Sequence, residues 1–233
     1  VGRIIVVGAG PGSPEYVTLA AKRAVRQADV VVGSERALRL FRNNMRGEAL
    51  PLTAHNFKQT LEQAVKKAEQ GKSVAVVSTG DPGFAGLLRP VLEVVGERNV
   101  EVKVVPGVSA IQACAARALV SWENTVLLSF HDGVSEAGKK QLLTAVRAGK
   151  QVMLLPDPKA FTLKEIAKFL TGEGVNKNTA VVLCEDLTLK TERLIETTLE
   201  EARAHDSGRL TVILIKAEQK TWPKSLRCQN VEA

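Results

Sequence analysis

The chain reads as an α/β protein of two domains, and three observations predict that class. Short β-branched runs alternate with segments whose apolar residues recur at three- and four-residue spacing, the pattern of strands joined by crossover helices. The alternation restarts after Val120-Ser121-Trp122-Glu123-Asn124. Two of the apolar runs in the first half lead straight into glycine-rich turns, which leave backbone room for a ligand at the carboxyl edge of a parallel sheet.

Taken in order, Ile4 to Val7 is the first strand, followed by Gly8-Ala9-Gly10-Pro11-Gly12-Ser13, and Thr18 to Gln27 has helical spacing. Val30 to Val32 is a strand and Phe57 to Gln70 a helix that Gly71 closes. Val74 to Val77 then runs into Ser78-Thr79-Gly80-Asp81-Pro82-Gly83-Phe84-Ala85-Gly86. Leu87 to Val95 is a shorter helix, Val100 to Val105 a strand and Ala110 to Leu119 a helix, which completes a parallel half. In the second half, strands are expected at Thr125 to Ser129, Gln151 to Leu155, Thr179 to Cys184 and Leu210 to Ile215, with Lys190 to Ile195 as a further candidate. Helices fit Ala137 to Ala148, Leu163 to Leu170 and Leu199 to Ala204, so this half is also α/β and richer in strands. The expected domains are 1–120 and 121–220, with the boundary near residues 120 to 123. Residues 221–233 lack periodicity and are expected to be a disordered tail.

With 45% hydrophobic and 24% charged residues and a mean hydropathy near zero, the composition excludes disordered and collagen-like classes. No apolar run approaches the ~18 residues of a membrane span. No basic stretch with an apolar core opens the sequence, so the expectation is a cytoplasmic protein without a membrane partner. Cys114, Cys184 and Cys228 are odd in number, far apart and in no C-x-x-C pair, which argues against a disulfide framework and a zinc site. Cys114 and Cys184 read as buried fillers. His55, His131 and His205 are equally scattered, so no metal is expected. Thirty-two Lys and Arg against 25 Asp and Glu give a net charge of +7. The 4% of aromatic residues do not interleave with basic ones as single-strand stacking platforms do. The basic excess therefore points to a small acidic substrate and not to nucleic acid.

Gly, Asp and Pro make plain turns for backbone reasons alone. The pairing of Gly80-Asp81-Pro82-Gly83 with a second glycine-rich turn favours a shared cleft, in which Asp81 is the polar group. Gly8, Gly10 and Ser13 approximate the dinucleotide fingerprint, and Glu35 stands where an acidic ribose contact falls. Ser13 replaces the third glycine, however, and Pro11, Pro14 and Glu15 oppose an immediate helix start. A nicotinamide- or nucleotide-binding protein stays open as an alternative. Gly71-Lys72-Ser73 resembles the end of a phosphate-binding loop but precedes a strand instead of opening a helix, and reads as a helix-closing turn. Ser129-Phe130-His131-Asp132-Gly133 ends a strand without any nucleophile elbow nearby. His131 is either a turn histidine or a substrate-binding one.

Together, Gly8-Ala9-Gly10-Pro11-Gly12, Gly80-Asp81-Pro82-Gly83 and Pro106-Gly107-Val108-Ser109-Ala110 resemble the S-adenosylmethionine-dependent tetrapyrrole methylases, in order and spacing through residues 3 to about 216. The resemblance implies two unequal α/β domains with the cofactor in a cleft between them, a fold distinct from Rossmann methyltransferases, and a homodimer. Val32-Gly33-Ser34-Glu35-Arg36, Ser78 to Phe84 and Ser129-Phe130-His131 look most like members that methylate carbon 5 of a late corrinoid precursor, of precorrin-6Y or cobalt-precorrin-7 type, in cobalamin biosynthesis. The chain departs from that pattern at Asp132-Gly133, where a Gly-Arg pair is expected. By the same resemblance Gly80, Asp81, Phe84, Ser109 and Ala110 bind S-adenosylmethionine and its product S-adenosylhomocysteine, with Leu155, Cys184, Thr211 and Val212 contributing from the second domain. The same resemblance implies that Gly10, Pro11 and Gly12 face a polycarboxylate tetrapyrrole, and Arg36 and His131 are candidates to join them in binding it. For Arg36, Arg39, Arg42 and Arg46 a solvated helix face is an equal reading. The catalytic base is unassigned. The implied partner is a separate decarboxylating precorrin methyltransferase. Other acceptors on the same fold, namely another precorrin carbon, an rRNA ribose or a diphthamide precursor, stay open.

Overall fold

The alternating runs of the first half become a five-stranded, wholly parallel sheet in the computed structural model, which describes residues 2–205, 208 and 210–216. Its elements are β1 (Arg3–Gly8), α1 (Leu19–Arg26), β2 (Val30–Gly33), α2 (Glu35–Leu40), β3 (Glu48–Pro51), α3 (Phe57–Glu69), β4 (Ser73–Ser78), α4 (Leu88–Val95) and β5 (Glu101–Val105). The period-2 pleat sorts each strand between two cores. Ile5, Val7, Val31, Ala75 and Val77 pack with Ala21 and Val25 of α1 and Leu38 of α2. Ile4, Val6, Val30, Val32, Val74 and Val76 pack with Leu61 and Val65 of α3 and Val91 of α4. Each Val, Ile or Leu among them contributes about 1.5 to 3 kcal/mol on full burial. Thr18 and Ser34 start α1 and α2 by accepting the N–H groups of Ala21 (3.0 Å) and Ala37 (3.3 Å), caps that stabilise by about 1 kcal/mol each.

Strand order β3-β2-β4-β1-β5 decides where a ligand can bind. The chain leaving β1 crosses over α1 towards β2, whereas the chain leaving β4 crosses over α4, on the other face, towards β5. Neighbouring strands whose connections diverge leave a crevice at their carboxyl ends. β1 and β4 run level from Arg3↔Ser73 to Gly8↔Ser78, so both glycine-rich turns emerge at that crevice. The order also differs from the 3-2-1-4-5-6 of dinucleotide-binding sheets, which counts against the nicotinamide alternative.

The second sheet is mixed. α5 (Ala110–Arg117) precedes β6 (Val126–Ser129), α6 (Glu136–Arg147), β7 (Val152–Leu155), α7 (Leu163–Gly172), β8 (Ala180–Glu185), β9 (Arg193–Thr198), α8 (Leu199–Ala202) and β10 (Thr211–Ile215). The strands lie in the order β6-β7-β10-β8-β9, parallel only between β6 and β7. One face, including Leu128, Leu154, Leu183 and Ile213, packs against Leu142 of α6, Ile166 of α7 and Leu199 of α8. Met153, Val182, Cys184, Val212 and Leu214 are buried on the opposite face, which α5 meets through Cys114.

The chain divides into compact units Val1–Ala110 and Ile111–Ala233, so α5 goes with the second. Among the described residues each sheet has five strands, which corrects the expectation that the second half is richer in them. The difference is β3, an edge strand with alternating polarity lost: Glu48, Ala49 and Pro51 are exposed and carry no β-branched signal. α2 ends at Leu40, so Arg42 and Arg46 lie beyond it and no helix face unites the four arginines. β9 starts at Arg193, three residues later than the candidate at Lys190. The tail at 221–233 lies outside the described residues. No helix among the described residues is long and apolar enough to cross a membrane.

Candidate functional site at two sheet edges

At the carboxyl edge of the first sheet three loops meet backbone to backbone. Gly8 ends β1 between β4 and β5, and a methyl group on it would stand 2.5 Å from Gly107 Cα and 2.8 Å from the Gly80 carbonyl oxygen. A side chain at Gly107 would strike that carbonyl as well. Gly10 and Gly80, at φ +78° and +68°, sit in the left-handed region that suits glycine. They exchange two hydrogen bonds: the Gly80 N–H donates to the Gly10 carbonyl (2.9 Å) and the Gly10 N–H to that of Gly80 (3.3 Å).

Asp81 is the charged group within this frame. Its Oδ1 accepts the Gly83 N–H (2.8 Å) and its Oδ2 the Gly107 N–H (3.0 Å), which ties the turn after β4 to the loop after β5. A carboxylate offers about four lone-pair sites, so roughly half of its accepting capacity is left for a ligand. The rest of the turn is wound tightly. Ser78 Oγ accepts the Leu87 N–H at 3.1 Å, and a side chain at Gly86 would approach the Asp81 and Pro82 carbonyls to 2.7 Å. Ala85 takes a positive φ of 51°, uncommon for a residue with a Cβ. Phe84, Ser109 and Ala110 are half-buried at this edge, and Ser109 Cα lies 3.9 Å from where a Gly80 side chain would begin. Arg36, in the first turn of α2, donates through Nη2 to the carbonyl of Pro11 (3.2 Å), which draws it onto the Gly10-Pro11-Gly12 loop. Nine predicted residues thus gather within the first unit.

The second sheet has its own edge, where β7 and β8 end and β10 begins. The register Thr211↔Glu185, Val212↔Cys184 and Ile213↔Leu154 brings Leu155, Cys184, Thr211 and Val212 to it. Cys184, Thr211 and Val212 are buried, and the Leu155 carbonyl already accepts the Phe130 N–H (2.8 Å). Exposed His131 follows β6, its own N–H donating to Ser129 Oγ (3.3 Å). Asp157, two residues beyond β7, was not singled out by sequence. The backbone N–H groups of Ala160 and Lys159, aided by the charges of His131 and Lys159, hold its carboxyl below the ordinary range. Buried Glu185 was likewise missed. It accepts Arg193 Nη2 and the Gly208 N–H, both at 2.6 Å, and so fixes the ends of β8 and β9. Asp157-Pro158 directly after an apolar run is a turn signal that could have flagged the first; a Glu closing a strand has none. Grooves of about 530 Å³ beside α6 and about 470 Å³ between α3 and α4 share no lining residue with either edge.

Glycine-lined strand ends at a topological switch point, with one carboxylate between them, are the arrangement by which α/β enzymes take small organic ligands at the carboxyl edge of a sheet. The chain belongs to the Tetrapyrrole (Corrin/Porphyrin) Methylases, a family that matches residues 3–203, and it is an S-adenosylmethionine-dependent methyltransferase. It is 36% identical over 217 residues to a probable cobalt-precorrin-7 C(5)-methyltransferase of Methanocaldococcus jannaschii, covering 93% of this chain and 99% of that one. The crystal structure of a precorrin-6Y methylase (CbiE) from Archaeoglobus fulgidus superposes with a TM-score of 0.70 at 27% identity, covering 93% and 99% of the two chains. That of the methyltransferase CobJ reaches a TM-score of 0.84 at 21% identity, over 96% and 98%, and shows the shared fold.

The first edge fits this cofactor chemically. S-adenosylmethionine carries ribose hydroxyl and ammonium donors, and the spare lone pairs of Asp81 accept such groups. Space beside Gly80 is open, since a Cβ there would meet nothing nearer than 3.9 Å.

Proposed function

We propose that this methyltransferase adds a methyl group to carbon 5 of a late corrinoid precursor, of precorrin-6Y or cobalt-precorrin-7 type, in cobalamin biosynthesis. The observation that carries this reading is the 36% identity to the Methanocaldococcus jannaschii relative, spread over nearly the whole of both chains. When bound, S-adenosylmethionine supplies a methyl group activated by a sulfonium leaving group. The protein's task is then alignment, because holding reacting atoms about 3 to 3.5 Å apart supplies much of the rate. Asp81, fixed by the Gly83 and Gly107 N–H groups, accepts hydrogen bonds from the cofactor. Gly80, Phe84, Ser109 and Ala110 wall the same edge, and Leu155, Cys184, Thr211 and Val212 serve cofactor binding from the second sheet.

Gly10, Pro11, Gly12, Arg36 and His131 serve the macrocycle. Arg36 spends one of its five N–H groups on Pro11, and the remainder suit the substrate's carboxylates, which guanidinium binds in bidentate fashion. The protein acts as a cytoplasmic homodimer, functionally coupled to a separate decarboxylating methyltransferase, and needs neither nucleic acid nor a membrane. The test is incubation with S-adenosylmethionine and purified late precorrins, with the added methyl mapped by mass spectrometry and NMR. One methyl at carbon 5 is the expected product. Transfer to another carbon, or none, removes the acceptor assignment.

A further inference from the structure

We infer that Cys114 and Cys184 form a reversible cross-link, an intramolecular disulfide closed by a peroxide, that weakens cofactor binding at the end of β8. Their Sγ atoms stand 3.0 Å apart, closer than ordinary non-bonded contact, although 70 residues separate them in sequence. Both side chains are fully buried. α5 brings its sulfur this near because its sequence Ala110-Ile111-Gln112-Ala113-Cys114-Ala115-Ala116-Arg117 is dominated by small residues, which let a helix approach a sheet closely. One turn further along α5, Arg117 Nε pairs with Glu192 Oε1 at 2.6 Å, so the helix is joined to the β8–β9 connection at a second point. That connection is strained: Asp186 and Thr188 take positive φ values of 50° and 68°, and a β-branched residue rarely does so.

The neighbouring sulfur and burial push the Cys114 thiol up, so it rests as a thiol, and the buried pair reacts only when local opening admits an oxidant. One sulfur then attacks a peroxide oxygen, giving a sulfenic acid and one water. The second sulfur displaces the sulfenic oxygen, which leaves as another water. In sum, two thiols and one hydrogen peroxide yield one disulfide and two waters, the pair losing two electrons and two protons. A disulfide needs ~2.05 Å between sulfurs, so closure moves them together by about 1 Å.

Cys184 lies opposite Val212 and next to Glu185, which holds Gly208 and Arg193. The shift therefore reaches the end of β8, where hydrogen bonds tolerate only a few tenths of an ångström. The effect on the cofactor rests on the proposed role of that edge; the cross-link itself does not.

The experiment uses the full chain carrying Cys228→Ala, to leave only this pair, treated with hydrogen peroxide or with dithiothreitol. Expected are a mass loss of 2 Da, a tryptic peptide joining Cys114 to Cys184, and a roughly two- to tenfold weaker S-adenosylhomocysteine affinity, the range one hydrogen bond spans. Dithiothreitol restores all three, and Cys114→Ala abolishes the response. Should Cys114→Ala not fold, the tryptic map of the parent chain identifies the cross-link without it. Thiols that stay reduced while a small-molecule thiol in the same tube is oxidised overturn the inference, as does a closed disulfide with unchanged affinity. If the reduced chain binds no S-adenosylhomocysteine, the cofactor assignment has failed, and mass and peptide map still judge the cross-link.

Discussion

Asp81 fastens two loops and, in the proposed cofactor site, presents a charge to the ligand, and one substitution separates these roles from simple space filling. Asp81→Asn keeps the shape but turns one oxygen into an NH2 group, which then faces either the Gly83 or the Gly107 N–H, donor against donor. Losing a hydrogen bond of this charged kind costs about 1.5 to 3 kcal/mol, and partial exposure of Asp81 places the expected loss near the lower figure. A urea titration should show that loss, and calorimetry with S-adenosylhomocysteine should show affinity down by about tenfold or more. Unchanged affinity in a folded Asp81→Asn protein would remove Asp81 from the cofactor site. Asp81 and Gly80 were legible in the sequence because turn chemistry names them by side-chain type. The partner of Asp81 was not, since the Gly107 N–H is a backbone group and any residue but proline could offer one. His131 was legible as a residue, but Asp157 beside it depends on which strand lies next to which.

Among the elements, β1 has the tightest surroundings. Gly8→Ala would place a methyl 2.5 Å from Gly107 backbone atoms, which belong to another strand's loop and cannot rotate away as a side chain can. Overpacking of this kind costs about 1 to 3 kcal/mol, and the displaced loop carries the N–H that holds Asp81. Gly172→Ala on α7 is the matched control: nothing lies within 4 Å of its would-be methyl and its φ is ordinary. Alanine there should raise stability by about 0.4 to 1 kcal/mol. Thermal melts of the two variants should therefore move in opposite directions, and a stable Gly8→Ala with normal ligand binding would refute the close-packed edge. Most helices and strands were legible because their periodicity is enforced by burial on one or two faces. β3 was not, because an exposed edge strand has no burial to enforce a pattern, and α2 is barely long enough to show one.

For the whole molecule, local pattern could name strands but not their order: β4 lies between β1 and β2, and β10 between β7 and β8, through contacts that no window of sequence contains. The order matters energetically because each unit closes its own cores, the first on both sides of a parallel sheet and the second under α6, α7 and α8. Such units can open separately, so a single unfolding midpoint would hide what a ligand does to each. S-adenosylhomocysteine at 100 times its Kd stabilises whatever it binds by about 2.7 kcal/mol. Hydrogen exchange read by mass spectrometry resolves where that energy appears. If both edges hold the cofactor, peptides from β1 and β4 and peptides from β8 and β10 should all gain protection, because opening either unit then requires release of the ligand. Protection confined to β1 and β4 would leave Asp81 and its neighbours as the whole site and withdraw Leu155, Cys184, Thr211 and Val212 from it. It would also sever the end of β8 from cofactor binding, so that a disulfide between Cys114 and Cys184 could act on stability alone.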